Sequence, residues 1–66
     1  MIWLFDRAGE RLSYEICRDD AGAGYLLITT EKDGRPQVER VDQPTALIER
    51  SVDRLRQLRE DGWKIG

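Results

Sequence analysis

The chain has no histidine and a single cysteine, Cys17, in 66 residues. Without histidine, acid–base chemistry near neutral pH loses its usual agent, and tetrahedral zinc sites built from Cys and His cannot be assembled. One cysteine cannot close an intramolecular disulfide, and between Ile16 and Arg18 it reads as a small apolar strand residue. Long hydrophobic runs are also missing: no window approaches the roughly 18 consecutive apolar residues of a membrane span. Met1 leads straight into Ile2-Trp3-Leu4-Phe5 with no basic stretch before it, so no secretory leader is expected and the cytoplasm is the expected location. Proline occurs twice, at Pro36 and Pro44, and no linker, repeat or low-complexity tract divides the chain. Residues 1–66 are therefore one small domain, close to the lower limit of what a single hydrophobic core can stabilise.

The residues present are 39% hydrophobic and 36% charged in mixed order, which suits a folded chain with a solvated surface. Residues 2–5 and 10–18 read as strands joined by Asp6-Arg7-Ala8-Gly9. Gly9 stands where a three-residue hairpin loop with a bulge needs positive φ. Residues 25–31 and 35–41 repeat the device around Glu31-Lys32-Asp33-Gly34, with Gly34 as the bulge residue and Glu31 facing Arg35. Asp19-Asp20-Ala21-Gly22-Ala23-Gly24 is a turn-rich connection between the hairpins.

The remainder reads as one helix. Asp42 is its expected N-cap, Pro44 fits the first turn, and Leu47, Ile48, Val52, Leu55 and Leu58 fall on a stripe roughly 140° wide at about 100° per residue. Gly62 suits the left-handed residue past the helix end, with Trp63 reaching back to Leu58. The expected fold class is α+β: a four-stranded antiparallel meander with one C-terminal helix packed on one face, in the order β-β-β-β-α.

The turn chemistry then assigns faces. A bulged first loop sets Asp6 opposite Glu10 and Phe5 opposite Arg11, which gathers Ile2, Leu4, Leu12, Tyr14, Ile16, Leu26, Ile28 and Val38 on the face expected to receive the helix. The other face would hold Trp3, Phe5, Cys17, Tyr25, Leu27 and Val41 among polar residues. A second apolar face of that size implies an interface. The residues expected to carry it are Trp3, Phe5, Arg11, Tyr25 and Leu27.

Two occupants of that face follow from chemistry. Self-association, or docking of another protein, would enlarge a small core, and a two-fold homodimer is the commonest oligomer. Single-stranded nucleic acid could instead stack on Trp3, Phe5 and Tyr25, with Arg7, Arg11, Arg18, Arg35 and Arg40 on its phosphates. In its order of elements the chain resembles the Whirly and PUR-type modules, and that resemblance implies a sheet able to bind single strands. Charge points the other way: residues 1–42 carry six basic and nine acidic side chains, a balance of −3, and the pI is near 5.0.

Catalysis finds little support. Asp19 with Asp20, or Glu10 with Glu15, supplies carboxylates without a nucleophile, a third ligand or a pocket, and adjacent Asp residues before glycines form turns. The Gly22-Ala23-Gly24 run precedes no helix and so is not a phosphate loop. The expectation is a non-enzymatic cytoplasmic interaction module with no cofactor, no metal and no membrane span, most simply a homodimer.

Overall fold

Ala8 and Gly9 both have positive φ, 47° and 82°, as a two-residue type I′ hairpin turn requires. This tight turn connects β1 (Ile2–Arg7) to β2 (Glu10–Arg18) and starts the ladder at Arg7 opposite Glu10, bringing Phe5 opposite Leu12 and Trp3 opposite Tyr14. The expected loop was one residue longer, and the register of β1 on β2 is shifted accordingly. The correction has a physical cause. Left-handed Ala8 costs about 1–2 kcal/mol, whereas burying Phe5 and most of Trp3 returns about 1.5–3 kcal/mol for each large side chain. Tertiary burial outweighs the preference of the turn.

In the computed structural model, residues 1–31 and 34–66 are described. Beyond β2 come β3 (Tyr25–Glu31), β4 (Gln37–Val41), α1 (Pro44–Glu60) and a two-residue β5 (Lys64–Ile65). The sheet is antiparallel in the order β4-β3-β2-β1-β5, so the four-stranded meander and the C-terminal helix are as expected, and β5 is an added edge strand. The β3–β4 register, with Ile28 opposite Val38 and Tyr25 opposite Val41, also agrees with the expectation. β4 begins at Gln37 rather than Arg35, however, so the Glu31–Arg35 pair is not formed in the ladder. The expected turn at Lys32-Asp33 lies outside the described residues.

The core comprises Phe5, Leu12, Tyr14, Leu27, Val41, Leu58 and Trp63, with Trp3, Ile16, Tyr25, Leu47 and Leu55 packed against it. Period-two alternation puts Trp3, Phe5, Leu12, Tyr14, Ile16, Tyr25, Leu27 and Val41 on one face, and that is the face the helix covers. The expected face assignment is thus reversed for every strand except β2.

The helix begins differently from its sequence reading. Its N-cap is Gln43, without a side-chain cap bond, and Pro44 occupies the first turn; Asp42 instead places its carboxylate 3.5 Å from Arg40 Nε. Its end is as expected. Gly62 has φ 92°, Gly62 N–H donates to the Arg59 carbonyl and Trp63 N–H to the Leu58 carbonyl, a Schellman stop with both apolar partners buried. Leu47, Ser51, Leu55 and Leu58 are turned toward the sheet with Arg54, while Ile48 and Val52 stay 62% and 54% exposed. The buried stripe is therefore rotated away from the Ile48–Val52 edge.

Candidate interaction site

Strand alternation leaves Ile2, Leu4, Cys17, Leu26, Ile28 and Val38 on the sheet face opposite the helix. Ile2, Leu4 and Val38 are 57%, 45% and 58% exposed, and Leu26 and Ile28 are half-buried by their neighbours alone. A hollow of about 290 Å³ opens beside Leu4, Arg11, Ser13 and Thr30. The face is bounded by ion pairs. Arg11 Nε stands 3.2 Å from Asp6 Oδ1 at one corner, and Arg40 Nε stands 3.1 Å from Asp19 Oδ2 at the other. Asp19 is itself fixed by an Asx turn, its Oδ1 accepting from Ala21 N–H at 3.0 Å.

Of the five residues the sequence singled out, only Arg11 lies on this open face. Phe5 and Leu27 are buried beneath the helix, and Trp3 and Tyr25 pack against the same core half-buried. The ring of Trp3 stacks on Tyr14 with centroids 5.8 Å apart. These four residues are therefore corrected from the open face to the helix-covered one: the one-residue slip of the first hairpin turns Trp3 and Phe5 over, and the β2–β3 pairing of Ile16 with Leu27 and Arg18 with Tyr25 places Tyr25 and Leu27 on the same face. The residues that were missed are Ile2, Leu4, Leu26, Ile28 and Val38. Their signal was present as the second apolar phase, but it was assigned to the core.

Two cavities lie on the helix side. An apolar groove of about 380 Å³ runs between α1 and β5, floored by Trp3, Phe5, Leu55, Trp63 and Ile65 with Arg59 beside it. A more polar cleft of about 370 Å³ opens between α1 and the β3–β4 edge, with Tyr14, Thr29, Gln37, Glu39 and Arg54 among its walls. Burial first, then the Glu39 carboxylate, raises the pKa of the Tyr14 phenol above its ordinary value, against the smaller effect of Arg54. The phenol thus stays a hydrogen-bond donor at neutral pH.

Among the described residues, no group of three or more His, Cys, Asp or Glu side chains is gathered to hold a metal ion, and no helix is long and apolar enough to cross a membrane. No family model, curated protein or solved structure matches the chain.

Proposed function

We propose that the protein is a non-catalytic interaction module that self-associates through the sheet face opposite the helix. The observation that carries this reading is the exposure of Ile2, Leu4 and Val38 around half-buried Leu26 and Ile28 on one continuous face. Ser13 and Glu15 of β2 stand between Ile2 and Leu4 on β1 and Ile28 with Thr30 on β3, so the face is apolar on both flanks of a polar middle strand, and large exposed apolar residues gathered on one face mark an interaction surface. A second copy is the partner favoured by size, since a domain of this length gains core by pairing. It is also favoured by charge, because each corner of the face holds both signs, Asp6 with Arg11 and Asp19 with Arg40, so two copies meet without net repulsion.

Single-stranded nucleic acid is the second class of partner. A stacking platform needs aromatic rings on the open sheet face, and the strand residues of that face include none. The acidic balance of residues 1–42 adds to that objection, and oligonucleotide binding is the weaker reading.

Sedimentation equilibrium over a concentration series tests the proposal. The expected result is a reversible dimer near twice 7.7 kDa, converted to monomer by Leu4→Glu with Val38→Glu. A monomer at every concentration, or a dimer indifferent to both substitutions, would overturn it.

A further inference from the structure

We propose that the cleft between α1 and the β3–β4 edge binds a small carboxylate whose anionic head is held by Arg54 and Tyr14 and whose apolar substituent rests on Leu27. The register builds the site. Tyr14 pairs with Thr29 and Thr29 with Gln37, so three polar side chains stand in one row across β2, β3 and β4 on the face beneath the helix. Such a row on a core-facing surface is unusual, and its central problem is visible at Tyr14. The residue is 1% exposed, yet its hydroxyl has no hydrogen-bond partner. A buried hydroxyl left without an acceptor destabilises the chain that carries it, which makes the phenol a donor waiting for an oxygen.

The charge of the cleft selects the ligand. Glu39 is engaged by Arg50, whose Nη1 lies 3.4 Å from its Oε2. Arg54 is half-buried over the same row and makes no ion pair among the described residues. With Glu39 paired to Arg50, Arg54 is the cation of these walls without an ion pair among the described residues, which suits a monoanion held at Arg54, while the Glu39 carboxylate opposes the second charge of a phosphate dianion. A guanidinium presents two parallel N–H groups to the two oxygens of a carboxylate. Tyr14 adds a third donor. The cavity of about 370 Å³ lies at the small end of the range for ligand sites, so the substituent must be short.

The anion-binding groups Arg54 and Tyr14 are on the helix side, whereas Val38 of the β4 edge borders both this cleft and the proposed association face, so substitutions at Arg54 and Tyr14 test this reading separately from that one. The test is calorimetric and NMR titration with benzoate, with benzyl alcohol as a neutral counterpart of similar size and inorganic phosphate as the dianion. Benzoate is expected to bind saturably and to shift the side-chain resonances of Arg54 and Tyr14, and benzyl alcohol to bind on the order of tenfold more weakly. Arg54→Gln should lose on the order of tenfold or more in benzoate affinity and Arg54→Lys less, because the fork is lost while the charge remains. Tyr14→Phe should lose about fivefold in affinity while keeping or raising the thermal midpoint of the free protein, since it removes an unpaired buried hydroxyl. That opposition between affinity and stability is not expected of a purely structural tyrosine. Absence of saturable benzoate binding, equal binding of benzyl alcohol, preference for phosphate, or a lowered midpoint in folded Tyr14→Phe would each overturn the proposal.

Discussion

Arg7 lies over the indole of Trp63, its guanidinium carbon 4.3 Å from the ring centroid, and its Nη1 donates a 2.9 Å hydrogen bond to the Asp61 carbonyl. One side chain from β1 thus fastens the end of α1 and the residue that begins the return to β5. Arg7→Ala should lower the unfolding free energy by about 1–2 kcal/mol, combining the loss of a cation–π contact with that of a charge-assisted bond. Arg7→Lys should recover part of it. Urea denaturation of the three proteins checks this, and an unchanged midpoint in Arg7→Ala would mean that the contact contributes nothing.

The turn at Ala8-Gly9 predicts stabilisation by substitution. Ala8 has φ 47°, a region that asparagine and glycine enter more readily than alanine. Ala8→Asn should raise stability by about 0.5–1 kcal/mol. Gly9→Ala, at φ 82° with open space around the added methyl, should lower it by about 1 kcal/mol through backbone strain alone. The pair of thermal melts has opposite expected signs, and equal signs would contradict the two-residue turn.

Adjacent residues of β1 should respond in opposite ways. Phe5 is 4% exposed and Leu4 45% exposed. Phe5→Ala is expected to cost about 3–5 kcal/mol, against a total stability of about 3–10 kcal/mol for a chain of this length, so much of the protein would unfold. Leu4→Ser, measured at a concentration where the protein is monomeric, should cost under about 1 kcal/mol. Chemical denaturation followed by tryptophan fluorescence distinguishes this from the reverse pattern, which is what the bulged-loop register would give.

Alkaline pH should weaken the fold through Tyr14. Its pKa is raised in the folded chain above the ordinary 10.0, chiefly by burial. The stability held by the neutral phenol is therefore complete below the unfolded value and is lost as pH rises through the higher folded value. As pH rises through the ordinary tyrosine value of 10.0 and above it, the unfolding free energy of the wild type should fall more steeply than that of Tyr14→Phe. Parallel slopes would show that Tyr14 ionises as readily in the folded chain as in the unfolded one.

The open apolar sheet face was legible in the sequence as a quantity and not as a location. Apolar residues in both alternation phases, Ile2 and Leu4 against Trp3 and Phe5, and Leu26 and Ile28 against Tyr25 and Leu27, announce that one face of the sheet must remain without a helix. Which phase that is depends on one residue of loop length for β1 and on the β2–β3 pairing for β3 and β4. The polar row of Tyr14, Thr29 and Gln37 was out of reach for a related reason, because its members become neighbours only through two registers and the placement of Arg54 above them.

The sequence by itself determined the four meander strands, the β3–β4 register from Tyr25 to Thr29, the single helix and the Schellman stop at Gly62, because each depends on periodicity or on a local backbone requirement. Only the tertiary structure decided that Ala8 adopts the left-handed conformation, that Trp3 and Phe5 turn inward, that Ile48 and Val52 stay outside and that Lys64-Ile65 joins the sheet. These outcomes compare burial across the whole chain with a local cost of about 1–2 kcal/mol. A short window of sequence contains the cost and not the burial that exceeds it.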